Sequence, residues 1–236
     1  METKDLIIYE DNHILVVVKP QNIPTQADIS GDEDMLAILK AYIKERDNKA
    51  GNVYLGLVHR LDRPTGGVMV FAKTSKAASR LSEQMKNGDI EKRYVAVLNG
   101  TPKDKRAKLV HHLKKDEYNN VVSIVPSLTT GAKRAELDYQ VLSTNGNLAL
   151  VSVLLYTGRG HQIRVQMNAI GCPVFGDQKY GTAQQKNNLA LWAYNLKFEH
   201  PTTKEKMNFI VMPPKEEYPF SEFDFERFLG VNIHND

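Results

Sequence analysis

His59-Arg60-Leu61-Asp62-Arg63-Pro64-Thr65-Gly66-Gly67 places one carboxylate between two arginines and follows it with a proline and a glycine pair. Apolar runs flank it, Val53 to Val58 before and Val68 to Ala72 after. Such runs bounded by turn formers read as strands, so Asp62 is expected on a short loop between two strands. A loop on a rigid scaffold can aim one side chain into a cleft. Cationic neighbours favour the ionised form of a carboxyl group. That suits a nucleophile or an electrostatic stabiliser and does not suit a general acid. Taken alone, the stretch also fits a surface loop with an ordinary ion pair, which stabilises little.

A second cluster lies further on: Tyr156-Thr157-Gly158-Arg159-Gly160-His161-Gln162-Ile163-Arg164-Val165-Gln166-Met167. The apolar run Leu148 to Leu155 reads as a buried strand that the glycines then break. Ile163, Met167 and Ile170 recur at helical spacing, so a helix is expected from His161 onward. Its glycine-flanked start would offer free backbone N–H groups to an anion such as a phosphate. His161 and Arg164, three apart, would share one face. A glycine turn before an amphipathic helix also needs no ligand.

Working outward, Leu6 to Tyr9 and Ile14 to Val18 form an opening hairpin around Glu10-Asp11-Asn12. Helices are expected over Asp32 to Glu45 and over Ser75 to Asn87. The second has a Thr74 or Ser75 cap, an Ala78, Leu81 and Met85 stripe, and Gly88 at its end. Lys92 to Leu98 is the next strand. Residues 101–133 read as a polar insertion with weak strands near Leu109 and Val121 to Val125. Asn145-Gly146 between β-rich runs signals a hairpin. Leu189 to Phe198 and Met207 to Val211 close the sheet. A terminal helix from Pro219 would cover the core with Phe220, Phe223, Phe225 and Phe228. Many hairpins with few helices indicate an α+β fold with a mostly antiparallel sheet. No linker divides the 236 residues, so one domain is expected.

Composition excludes several classes. Cys172 is the sole cysteine, which rules out an intrachain disulfide and a multi-cysteine zinc site and fits a reducing compartment. The histidines lack metal-ligand spacing, so no metal site is expected. No apolar run approaches the roughly 18 residues of a membrane span, and the polar start does not resemble a signal peptide. The net charge of +3 does not announce nucleic-acid binding. Its distribution says more: Lys103, Lys105, Arg106, Lys108, Lys114 and Lys115 crowd one segment, either an RNA-facing edge or a solvated hairpin face.

Six blocks together resemble the RluA-type pseudouridine synthases: Ile7 to Asp11 with Val18-Lys19-Pro20; His59 to Gly67; Lys92 to Ala96; Thr157 to Arg164; Gly171 to Val174 with Gly176 to Gly181; and Leu189 to Pro201. Gly66 stands where that family usually has Ser. Gln166 and Trp192 replace frequent histidines. The resemblance implies the pseudouridine synthase fold, a bent mixed sheet flanked by helices with a central cleft. It implies a single catalytic domain over 1–236, without the small N-terminal S4-like RNA-binding domain of many relatives and with a mobile basic insertion at 101–133. It assigns the nucleophile to Asp62, its salt-bridge partner to Arg164 and an aromatic platform for a flipped uracil to Tyr94. Arg60 would enter the RNA stack in place of the flipped nucleotide. His59, Arg63, Arg159, His161, Lys105, Arg106 and Lys108 are further RNA-binding candidates, His59 mainly as support for its loop. The implied reaction isomerises uridine in ribosomal or transfer RNA and is redox-neutral, so no cofactor is expected. A cytoplasmic monomer is the expected form. Two other readings compete: an RNA-binding module without chemistry, and a nucleoside or glycoside hydrolase. The second would need another carboxylate as acid, for which Asp177 is the candidate.

Overall fold

A computed structural model of the protein describes residues 2–181, 187–225 and 227. In chain order the elements are β1 (Ile7–Glu10), β2 (Ile14–Lys19), α1 (Met35–Arg46), β3 (Gly56–Leu57), β4 (Gly66–Ala72) and α2 (Ser75–Asn87). There follow β5 (Glu91–Asn99), β6 (Arg106–Asp116), β7 (Val121–Ile124), β8 (Lys133–Asn145) and β9 (Leu148–Leu155). α3 (Gln162–Ala169), β10 (Leu191–Glu199) and β11 (Lys206–Ile210) complete the set. The α+β expectation holds, and the described strand registers are antiparallel.

The chain divides into two compact units, Met1–Lys92 with Ala193–Val211 and Arg93–Trp192 with Met212–Asp236. The boundaries within the chain at 92/93 and 192/193 fall inside strands β5 and β10, so no linker composition marks them.

In the first unit the strands run in the order β1-β2-β4-β10, with β3 on β4 and β11 on β10. The β1–β2 turn is made by Asp11, whose Oδ1 accepts from the backbone N–H of His13 and Ile14 at 2.7 and 2.8 Å. This is the local bonding that makes Asp a turn former. β4 is buried along its whole length. α2 matches its expected bounds: the Thr74 hydroxyl accepts from Ala77 N–H, and Gly88 ends the helix at φ 83°. Ala77 and Leu81 bury against Ile14, Val16, Val68 and Val70, with Ala78 and Met85 packed at the edge. α1 begins later than expected, at Met35, because Asp34 is its cap and accepts from Ala37 N–H.

Gly67, at φ 127°, sits where a Cβ would overlap the Ala193 carbonyl oxygen. Both the backbone conformation and the contact demand glycine. Gly67→Ala is therefore expected to destabilise by about 2–4 kcal/mol, through strain and overpacking together. Urea unfolding of the variant measures it, and a loss below about 0.5 kcal/mol would refute the close approach.

In the second unit β5 neighbours β9, and the order continues β9-β8-β6-β7. Segment 101–133 contributes β6 and β7. β6 pairs with β8 from Arg106↔Gln140 to Leu113↔Lys133, so it is an integral part of this unit's sheet. The β8–β9 hairpin turns at Gly146-Asn147, one residue later than expected, since Asn145 still pairs with Leu148. The positive φ of 55° falls on Gly146, the first central residue, which suits a turn that takes glycine there. The expected terminal helix begins as a short 3₁₀ turn, Phe220–Glu222. Phe220, Phe223 and Phe225 are buried as anticipated, while Phe228 lies outside the described residues. Among the described residues, no helix is long and apolar enough to cross a membrane.

Candidate functional site

In the first unit Asp62 lies on the loop between β3 and β4, as the flanking apolar runs require. Its backbone is held from several directions. Asp62 O accepts from Thr65 N–H at 2.9 Å, closing the turn through Pro64. The preceding carbonyl, Leu61 O, accepts from the Thr25 hydroxyl, and Pro64 O accepts from Gln21 Nε2. Arg63 O accepts from Asn22 N–H at 2.8 Å and from Lys19 Nζ at 3.1 Å. Segment 19–25 thus clamps the loop through its carbonyl groups.

Lys19 is the residue whose role the sequence reading missed. It is fully buried at the end of β2, and its Nζ also donates to Pro20 O at 2.8 Å and Ile23 O at 2.7 Å. Three carbonyl acceptors match the three N–H bonds of an ammonium group. Burial pushes the Lys19 pKa down to about 7, while the negative charge of Asp62 opposes the shift. Lys19 is therefore a strut for the Asp62 loop, and it carries positive charge there only as the pH falls below about 7. The available signal was a lysine ending an apolar run before proline.

Arg63 directs its guanidinium to Asn22 O, Ser30 Oγ and the Asp32 carboxylate, tying the 22–32 segment to the loop. Arg60 is exposed and makes no hydrogen bond or ion pair among the described residues. His59 Nε2 accepts from Val70 N–H at 3.1 Å, so the ring carries its proton on Nδ1 when neutral. Desolvation, with the Lys92 charge adding to it, lowers the His59 pKa to about 4.

Between about pH 4 and 6.5 the unfolded chain binds a proton on His59 that the folded chain does not. This contribution is full above pH 6.5 and is lost as the pH falls through 4, by up to ~3 kcal/mol. His59→Gln should flatten the dependence of the urea midpoint on pH across that window. An unchanged dependence would contradict the assignment.

In the second unit Arg164 lies on α3 with only 7% of its side chain exposed. Its Nε and Nη2 donate to the two carboxylate oxygens of Asp177 at 2.8 and 2.7 Å. Asp177 also accepts from the backbone N–H of Lys179 and Tyr180. Burial pushes the Asp177 carboxyl up, but Arg164 and the two backbone donors outweigh it and hold the pKa below its ordinary value. The Tyr180 ring centroid lies 5.1 Å from the Arg164 guanidinium carbon. Its hydroxyl accepts from Val122 N–H at 2.8 Å and lies 2.6 Å from His161 Nδ1. His161 and Arg164 therefore do share one face, and Tyr180 is what they face.

α3 starts at Gln162, one residue later than expected, because His161 takes a left-handed φ of 53°. The buried Gln162 side chain fixes the preceding turn, accepting from Arg159 N–H and Thr157 Oγ1 and donating to Glu136 O. Gln166 ties α3 to β6 through Leu109 O and His111 Nδ1. Arg159 is exposed and donates to Arg134 O. Tyr94 is buried on β5 at 7% exposure. Lys105, Arg106 and Lys108 are exposed on and before β6, with Lys108 paired to Glu136 at 2.5 Å.

Comparison with known proteins gives concordant results. The RNA pseudouridylate synthase family model matches residues 13–169. The uncharacterized RNA pseudouridine synthase YjbO of Bacillus subtilis is 34% identical over 215 residues, 89% of this chain and 73% of that protein. The ribosomal large subunit pseudouridine synthase C of Vibrio vulnificus is 34% identical over 214 residues, 87% of this chain and 65% of that one. Among solved structures, human RNA pseudouridylate synthase domain containing 4 superposes with a TM-score of 0.75 at 25% identity, covering 90% of this chain and 91% of that one.

Proposed function

Since the chain belongs to the RNA pseudouridylate synthase family, we propose that it isomerises uridine to pseudouridine in RNA, with Asp62 as the nucleophile. The observation that carries this reading is the clamped loop of the first unit. It fixes the backbone on both sides of Asp62 through Leu61 O, Arg63 O and Pro64 O. A loop backbone fixed in this way aims the side chain it carries. The Vibrio relative is named for the large ribosomal subunit, which supports ribosomal RNA as the substrate class, with transfer RNA as the second candidate.

In the proposed reaction the N1–C1′ bond of uridine breaks, the uracil turns, and C5 bonds to C1′. C5 then loses its proton and N1 gains one. Atoms and electrons balance without a redox partner or a cofactor. Asp62 assists the first bond cleavage. Tyr94 provides an aromatic surface for the displaced uracil, where stacking is worth ~1–3 kcal/mol per base. Arg164 is assigned the stabilisation of the nucleophile's charge, and Asp177 orients it by occupying its Nε and Nη2 edge. Arg60, exposed on the Asp62 loop, is assigned the space left in the RNA stack, since a planar guanidinium can stack there. We assign a cytoplasmic setting, consistent with the single free thiol of Cys172, and a monomeric state.

The hydrolase reading fares worse on one specific observation. Its acid would be Asp177, which Arg164 and two backbone donors hold ionised. A general acid needs a raised pKa. Incubating the purified protein with ribosomal and transfer RNA, followed by nucleoside analysis, tests the proposal. New pseudouridine is expected; released uracil, or unchanged uridine on bound RNA, would overturn it.

A further inference from the structure

We propose that the second unit carries a separate groove for a stretch of the RNA substrate away from the target uridine, in which Asp138 accepts a ribose 2′-hydroxyl and Arg93, Arg106 and Lys108 take phosphate. The inference rests on the reading of RNA as substrate. It starts from strand alternation. On β8, Ala135, Leu137 and Tyr139 are buried, and Ala135 packs with Leu113, Val122 and Val165 of α3. Successive side chains point to opposite faces, so Asp138 and Gln140 lie on the face away from α3. Across β6 and β9 their partners are Lys108 and Arg106, and Leu154 and Ser152. These residues, with Arg93 of β5, line an open cavity of about 460 Å³, a volume in the range of small-ligand sites. Arg164 and Tyr180 belong to the α3 side and take no part in it.

The cavity is cationic but contains one carboxylate, and that carboxylate is incompletely satisfied. The Tyr156 hydroxyl donates to Asp138 Oδ2 at 2.7 Å, whereas Oδ1 is buried and accepts no hydrogen bond among the described residues. A buried acceptor without a donor is costly, and a ligand hydroxyl would relieve it. A phosphate diester has no proton to give; a ribose 2′-hydroxyl has one, and it is the group that distinguishes RNA from DNA. Arg106 is exposed and has no hydrogen bond or ion pair among the described residues, which leaves its guanidinium for a phosphate. Lys108 is steadied by Glu136, with its Nζ 4.8 Å from the centroid of the Tyr156 ring, itself 45% exposed at the rim.

The test uses fluorescence anisotropy with labelled oligoadenylates of about ten nucleotides in ribose, deoxyribose and 2′-O-methyl forms. They contain no uridine, so binding is read independently of isomerisation, and either reading can fail alone. The wild-type protein should prefer the ribose form by about tenfold, the size of a hydrogen bond to a charged group. The 2′-O-methyl form, lacking the donor, should bind no better than the deoxyribose form. Asp138→Ala should erase the preference by weakening only the ribose form. Arg106→Gln should weaken all forms and lower the salt slope by roughly 0.7 for a lost single-strand phosphate contact. Equal wild-type affinity for the three forms, a preference that survives Asp138→Ala, or an unchanged salt slope in Arg106→Gln would overturn the proposal.

Discussion

Asp62→Asn is expected to reduce pseudouridine formation by on the order of 10³-fold or more, the scale seen when a nucleophile is removed from a working catalytic set. The amide is nearly isosteric with the carboxylate but is a poor nucleophile. The loop should keep its shape, because the clamp from Lys19, Gln21, Asn22 and Thr25 grips backbone carbonyls that the substitution leaves in place. Thermal stability and RNA affinity should stay near wild type. A second consequence is specific to this site. Asp62 opposes the fall in the Lys19 pKa, so removing its charge should lower that pKa further. Direct titration of the Lys19 amine reads this. A variant that unfolds would place Asp62 in the structural framework, and one that retains activity would remove it from the chemistry.

The largest stability effect is expected at Asp177→Ala. The Asp177 side chain is fully buried and Arg164 is nearly so. Removing Asp177 takes away the bidentate partner of a buried guanidinium, a loss of about 3–5 kcal/mol. For a chain of this size that corresponds to roughly 10 °C in Tm. Replacing both, Asp177→Leu with Arg164→Met, should recover much of the stability while leaving the protein inactive, since a buried pair is often replaceable by packed apolar groups. Urea unfolding of the single and double variants gives the coupling. A loss below about 1 kcal/mol in Asp177→Ala would mean that water reaches the pair.

What the sequence disclosed depended on how local the signal was. α2 could be read to its bounds because its cap, stripe and stop lie within its own residues, Thr74 to Gly88. The strand after Asp62 was legible for the same reason, whereas the run Val53 to Val58 yields only the short β3, Gly56–Leu57. Partnerships across the chain were not. Arg164 meets Asp177 through a turn whose backbone N–H groups also converge on the carboxylate, and no spacing rule encodes that convergence. Lys19 binds carbonyls of residues 20, 23 and 63, and any residue type presents a carbonyl. In β6 the crowd of basic residues hid the alternation. Arg106 and Lys108 are exposed while Ala107 and Leu109 turn inward, so the weak strand expected near Leu109 is there but longer, Arg106–Asp116, and registered on β8. The turn between β8 and β9 moved by one residue because two adjacent pairs, Asn145-Gly146 and Gly146-Asn147, both offer good turn chemistry.

The central claim is that this chain isomerises uridine within RNA, and the most direct measurement uses ribosomal RNA transcribed with tritium at C5 of every uridine. Bonding of C5 to C1′ expels the C5 hydrogen, so each pseudouridine formed should release one tritium to water. Incubation with purified protein should release tritium in step with pseudouridine found after complete digestion, and the Asp62→Asn protein should release none above background. Tritium that stays on the base while RNA is bound, or that leaves with free uracil, would contradict the account.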